Sequence, residues 1–169
     1  MRRIASFALA LALGWALSAP ATFAEDKENA ELAKALKGAK VSLEKGLAAS
    51  EREGKPISAK FEMDEAKLQL SVYTAKGDKF SEVVVDHKSG KVAKTDPITG
   101  GEDLTAAKSQ NEAMAKAKVS LRKAVGTAVY ANKGYHAVSV HPSLKDGQPV
   151  AEVTLVKGDD WKTVTEKLQ

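Results

Sequence analysis

The five residues Ala39-Lys40-Val41-Ser42-Leu43 return unchanged as Ala117-Lys118-Val119-Ser120-Leu121. A repeated pentapeptide constrains a fold only if its flanks repeat in kind and in order, and these do. Leu36 aligns with Met114, Leu43 with Leu121 and Leu47 with Val125. Apolar positions three and four residues apart form the stripe of an amphipathic helix. The pattern predicts a first helix from about Asn29 to Glu53, ended by Gly54 and Pro56, and a second from Ser109 to Ala131. Ser109 and Glu112 have the spacing of a capping box at the second start.

After each helix the period changes to alternation. Ile57, Ala59, Phe61 and Met63 alternate with Ser58, Lys60, Glu62 and Asp64, the pattern of a half-buried strand. Asp64 to Lys67 and Gly77-Asp78 read as turns, Leu68 to Val72 and Phe80 to Val85 as the next strands, and Val92 as a short one. In the second copy His136 to His141, Val150 to Val156 and Trp161 to Thr165 fill the same places. The offset grows from 78 residues (39 to 117) to 81 (76 to 157), which predicts a longer first hairpin at Ser143 to Pro149. Thr95 to Asp103 is rich in turn residues and reads as a linker.

The expected architecture is α+β, two-layer: one helix packed on its own antiparallel β-meander, twice. Units of this size are marginal alone, so the two copies should share an interface. Leu36, Leu43, Leu47, Phe61, Leu70 and Val84 form the expected core of the first copy.

The N-terminus needs separate treatment. Arg2 and Arg3 precede an apolar run from Ile4 to Leu17, then Pro20 and the small-residue site Thr22-Phe23-Ala24. This is the form of a secretory signal peptide cut after Ala24; a bilayer span needs about 20 apolar residues. The expected organisation is residues 1–24 signal peptide, 25–94 first copy, 95–108 linker and 109–169 second copy. The mature chain is expected in the periplasm, without a membrane span. Of 26 Lys+Arg against 22 Asp+Glu, two basic residues leave with the signal, so the mature excess is two. Both signs are interleaved, whereas a nucleic-acid binder concentrates its basic residues on one face. With no cysteine, the chain has no disulfides, thiolate metal sites or cysteine nucleophiles.

The first copy, with Gly54-Lys55-Pro56-Ile57, Tyr73, Gly77-Asp78 and the run VVVDHKSGKV from Val83 to Val92, resembles a PepSY domain. The likeness spans about Ala30 to Lys94, and through the internal repeat Ser109 to Thr165. The second copy departs at its end, because the chain stops at Gln169 without the Asp-x-x-Ser-Gly turn. The resemblance implies a PepSY/cystatin-like two-layer fold and a module that binds, and in peptidases restrains, a protein partner. A few tandem periplasmic members are linked to metal binding, lanthanides included, so the alternative expectation for this chain is a calcium- or lanthanide-type carboxylate site. It assigns no catalytic residues.

No nucleophile elbow, Gly-rich phosphate loop or His-Glu-x-x-His run occurs, so an enzyme, a catalytic residue or a cofactor is not expected. His136 and His141 are five apart, which on a regular strand places them on opposite faces. His87 lies in a polar turn. The function expected is a non-catalytic binding module for a protein or peptide partner, at the sheet edges or in the groove between the copies. Trp161, its counterpart Phe80, Tyr130 and Tyr135 are the candidate contact residues. The alternative is a carboxylate metal site at Glu62, Asp64, Glu65 and Asp78, since hard cations take oxygen ligands.

Overall fold

The computed structural model describes residues 23–169, with side chains from Lys27 onward. The expected signal segment, apart from its last two residues, lies outside the described residues. Among the described residues four helices and seven strands follow in the order α1 (Phe23–Leu36), α2 (Leu43–Ser50), β1 (Lys55–Asp64), β2 (Lys67–Lys76), β3 (Lys79–Val85), β4 (Val92–Ile98), α3 (Gly101–Lys116), α4 (Leu121–Ala131), β5 (His136–Lys145), β6 (Gln148–Lys157) and β7 (Asp160–Lys167). The fold is α+β. Among the described residues no helix is long and apolar enough to cross a membrane.

The repeated pentapeptide does not sit inside a helix; it interrupts one. Residues 37–42 separate α1 from α2, and 117–120 separate α3 from α4. A break exposes backbone donors that need partners, and each break finds a single carbonyl distant in sequence. Lys40 and Val41 donate their N–H groups to the His87 carbonyl, while Lys118 and Val119 donate to that of Leu168. Each serine then starts the next helix: Ser42 Oγ accepts from Lys45 N and Ser120 Oγ from Lys123 N. Each expected single helix is therefore two. Ser109 and Glu112 lie within α3, whose start at Gly101 places Glu102 and Asp103 where the helix dipole favours acids.

Strands β1 to β4 form an antiparallel meander, β5 to β7 a second, and the two join through β1 and β5. The strand order is β4-β3-β2-β1-β5-β6-β7, so there is one seven-stranded sheet rather than two. Ala59 opposite Val140 and Lys60 opposite Ser139 form the seam. The expected linker is not one. Thr95 to Ile98 belong to edge strand β4, and residues 101–108 to α3.

From β1 and β5 onward, corresponding features recur at one interval. The bulge between Pro56 and Ser58 recurs between Ala137 and Ser139, 81 residues on. The Glu65-Ala66 turn recurs as Asp146-Gly147, and β1 and β5 are both ten residues long. The longer hairpin expected at Ser143 to Pro149 is thus absent. The three additional residues lengthen α4, eleven residues against eight in α2.

One continuous core lies under α2 and α4. Leu43, Leu47, Leu70, Val72 and Val83 are fully buried on one side of the seam, and Leu121, Val125, Val140, Val153 and Leu155 are so on the other or nearly so. Gly46 of α2 lies directly on Leu70, where a Cβ would come within 2.6 Å of Cδ2. Val84 is not a core residue of this layer: Val83 and Val85 are buried and Val84 points to the other face. On that other face Lys55 and Ser58 meet α3. Lys55 Nζ donates to the Met114 carbonyl at 2.8 Å and Ser58 Oγ to Gln110 Oε1 at 2.7 Å.

Candidate functional site

A groove of ≈ 530 Å³ opens between α1, the 37–42 connector, the end of α4 and the start of β5. Its floor is apolar, made by Ala33, Leu36, Val41, Phe61, Val129 and Val156, and Lys37, Lys40, Glu44 and His136 line it as well. It therefore draws on both halves of the chain. The equivalent place at the far end of the sheet is closed. There Met114, the counterpart of Leu36, is 2% exposed, and the Lys55 ammonium ties the helix end to β1. The residue 81 positions after Lys55 is His136, which is exposed.

The aromatic candidates divide. Phe80 is 6% exposed and belongs to the core, so it is no contact residue; its strand is covered by β4, where Ile98 stands opposite it. Trp161 is half-buried, opposite Val156 and packed against the core. Tyr135 donates its hydroxyl to Asp160, which pushes the phenol pKa up, and Lys162 Nζ sits 3.9 Å from its ring centroid. Tyr130 is 81% exposed and follows Val129, which lines the groove.

The four carboxylates of the metal alternative do not converge. Asp64 ends β1 and Glu65 lies in the β1–β2 turn, whereas Asp78 lies in the β2–β3 turn. Strand β2, ten residues long, separates them by about 30 Å. Glu62 instead joins a network across β1, β2 and β3 on the face away from Leu70. Ser71 Oγ lies 2.8 Å from Glu62 Oε1 and 2.7 Å from Glu82 Oε1, and accepts from Gln69 Nε2 at 2.9 Å. A hydroxyl has one proton and cannot donate to two carboxylates at once. A second proton on one of the carboxyl groups satisfies the geometry. Burial raises the Glu82 pKa, opposed by the Ser71 bond and supported by Glu62 nearby. Lys60 pairs with Glu62 at 2.6 Å. Burial first, then Glu82 and Glu62, also pushes the Tyr73 phenol up. Sequence spacing missed this network because its members come from three strands. Among the described residues, no group of three or more His, Asp or Glu side chains is placed to hold a metal ion.

The bulge in β5 changes the histidine geometry. His136 faces Val156, Ser139 faces Thr154 and His141 faces Glu152, so both histidines share a face, contrary to the regular-strand expectation. Four residues of β6 still separate their partners, about 13 Å, so they do not chelate together. His141 Nδ1 is buried without a partner, and burial followed by Lys60 lowers its pKa to about 4. His87 Nδ1 is also buried and unpartnered, beside the carbonyl that holds Lys40 and Val41.

No family model matches this chain, and no curated protein matches it. A crystal structure of a Clostridium difficile 630 protein, named as a candidate lipoprotein, superposes with a TM-score of 0.42 at 9% identity, covering 71% of this chain and 79% of that one. A likeness at that level carries neither fold nor function across.

Proposed function

We propose that the chain is a non-catalytic binding module of the cell envelope, exported to the periplasm, that holds an extended segment of a protein partner in the groove between its halves. The observation that carries this reading is the open apolar groove, set against its closed counterpart at Met114 and Lys55. A rim with Lys37 and Lys40 against one Glu44 favours a segment with a bulky apolar side chain beside an acidic residue.

The reading includes two PepSY-like repeats. Its support is the 81-residue interval shared by the bulges and hairpin turns, together with the matching helix breaks. The partner class that the PepSY resemblance implies is a peptidase, which such a module would restrain by occupying rather than cleaving it. The carboxylate alternative has no observation in its favour, because its four residues lie at opposite ends of β2.

The test is selection from a random peptide library on the mature protein, followed by fluorescence-polarisation titration of the enriched peptide. Leu36→Glu, which puts a charge on the groove floor, should weaken binding at least tenfold; Thr165→Ala, on the exposed β7 edge, should not. Enriched peptides that bind Leu36→Glu as tightly as wild type would refute the groove.

A further inference from the structure

Strands β3 and β7 hold equivalent places in the two halves, but only β3 is covered on its outer side. The β2–β3 hairpin closes on Lys76 opposite Lys79, and the β6–β7 hairpin on Lys157 opposite Asp160. In a two-residue hairpin the closing pair exchanges backbone bonds, and inward and outward residues then alternate along the strand. In β3 the outward residues are therefore Phe80, Glu82 and Val84, and Ile98, Asp96 and Lys94 of β4 stand opposite them. In β7 they are Trp161, Thr163, Thr165 and Lys167. Among the described residues no strand pairs with them.

The other edge of the sheet is protected. Pro97 of β4 lies opposite Ser81, an inward residue of β3, so its missing N–H falls on the outer side. Lys94 and Asp96 form an ion pair on the same strand, and the register shifts by a residue near Val84. Proline, charges and irregular register are how proteins blunt an edge against pairing. Strand β7 contains no proline and pairs with β6 without a register shift over eight residues.

We propose that β7 pairs antiparallel with β7 of a second copy of this chain, about a two-fold axis through Val164, joining two seven-stranded sheets into one. The charge pattern of the strand supports self-pairing at this register. With Val164 opposite Val164, Lys162 faces the other copy's Glu166 twice on one face of the sheet. On the other face Thr163 meets Thr165 and Trp161 meets Lys167, each twice. Cross-strand pairs of these kinds are favourable. Outward residues must oppose outward residues, so the strand can shift only by changes that keep this parity. One such shift places Asp160 opposite Glu166, the other places Lys162 opposite Leu168, and both lose the two charge pairs. The contact is isologous, so it closes at a dimer rather than growing into a fibre.

The test is the solution mass of the mature protein by light scattering and sedimentation equilibrium. Wild type should be a dimer. Lys162→Glu sets two carboxylates face to face, and Glu166→Lys two ammonium groups; each alone should raise the dimer dissociation constant at least tenfold. Mixing the two variants restores opposite charges at both pairs, so an equimolar mixture should form the heterodimer. Thr163→Pro, which removes an outward N–H, should give a monomer with the wild-type far-ultraviolet spectrum. A wild-type monomer at 100 μM total protein, on the order of ordinary assay loadings, would overturn the proposal. So would a dimer indifferent to both charge reversals, or a mixture that stays monomeric.

Discussion

His141 gives the protein a measurable dependence of stability on pH. Its Nδ1 is closed off from solvent without a partner, and burial followed by Lys60 brings its pKa from 6.5 to about 4. On acidification the unfolded chain takes up this proton near pH 6.5, and the folded chain only near pH 4. The neutral ring therefore contributes stability above pH 6.5 that is lost as pH falls through about 4. At about 1.36 kcal/mol per pH unit, going from pH 7 to pH 4.5 removes up to about 2.5 kcal/mol. Part of the residue remains accessible, so water screens the charge and the expected loss is about 1–2 kcal/mol. Glu82 acts with the opposite sign. Its raised pKa contributes stability below the ordinary carboxyl value that is lost as pH rises through the raised one. The comparison that isolates the histidine is His141→Leu against wild type. Urea unfolding at pH 7 and pH 4.5 can be followed through Trp161, the one tryptophan after residue 24. Wild type should lose about 1–2 kcal/mol more than the variant between the two pH values. Parallel losses in the two proteins, or an imidazole NMR titration centred near the unperturbed value, would refute the reasoning.

Two glycines in helices should respond oppositely to alanine. Gly46→Ala drives a Cβ onto the buried Leu70 side chain and should cost about 1–3 kcal/mol, whereas Gly126 has nothing within 4 Å and Gly126→Ala should gain about 0.5–1 kcal/mol, both by urea unfolding. Leu43→Ala and Leu121→Ala, each emptying a buried position at the start of α2 or α4, should each cost about 2–5 kcal/mol; changes below about 0.5 kcal/mol at both would mean that these leucines do not anchor the core. Calcium or a lanthanide should leave the melting temperature where a chelator control puts it, given the spread of Glu62, Asp64, Glu65 and Asp78; a saturable rise of several degrees, abolished by Asp64→Asn with Glu65→Gln, would reinstate the metal reading.

Alternation and turn residues made most strands legible, because a half-buried sheet writes its faces into the sequence at period two. The helix breaks were not legible. The apolar spacing of Leu36, Ala39, Leu43 and Leu47 runs through the break unchanged. What makes the break tolerable is a carbonyl far away in sequence, at His87 or Leu168. Strand β4 was legible only at its start, Val92, for a different reason. Asp96, Pro97 and the glycines after Ile98 read as a loop, yet on an edge strand an outward proline loses no bond. Val83-Val84-Val85 carries no parity of its own, and the hairpin register chooses which valines face the helices. At the site, only Tyr130 of the four aromatic candidates is fully exposed. The groove escaped notice because its floor is made of small and aliphatic residues from separate elements.

On the two-repeat reading proposed above, the departures from equivalence between the halves bear on function more than the matches do. Through Ser50 and Ala128 the helices α2 and α4 correspond position by position from their serine caps. From Lys55 and His136 onward the strands correspond again at the longer interval. The three additional residues are therefore Val129, Tyr130 and Ala131. Val129 lines the groove and Tyr130 is the most exposed large apolar side chain. At the other end of the sheet no such turn is added, and Lys55 and Met114 close the corresponding space. A turn inserted for core packing would bury its tyrosine, since an exposed ring forgoes the gain of leaving water. This one adds apolar surface to the rim of an opening instead. If the groove binds a partner, Tyr130→Ser should weaken that binding while leaving the free energy of urea unfolding within about 0.5 kcal/mol of wild type. Loss of stability without loss of binding would assign the extra turn to the fold instead.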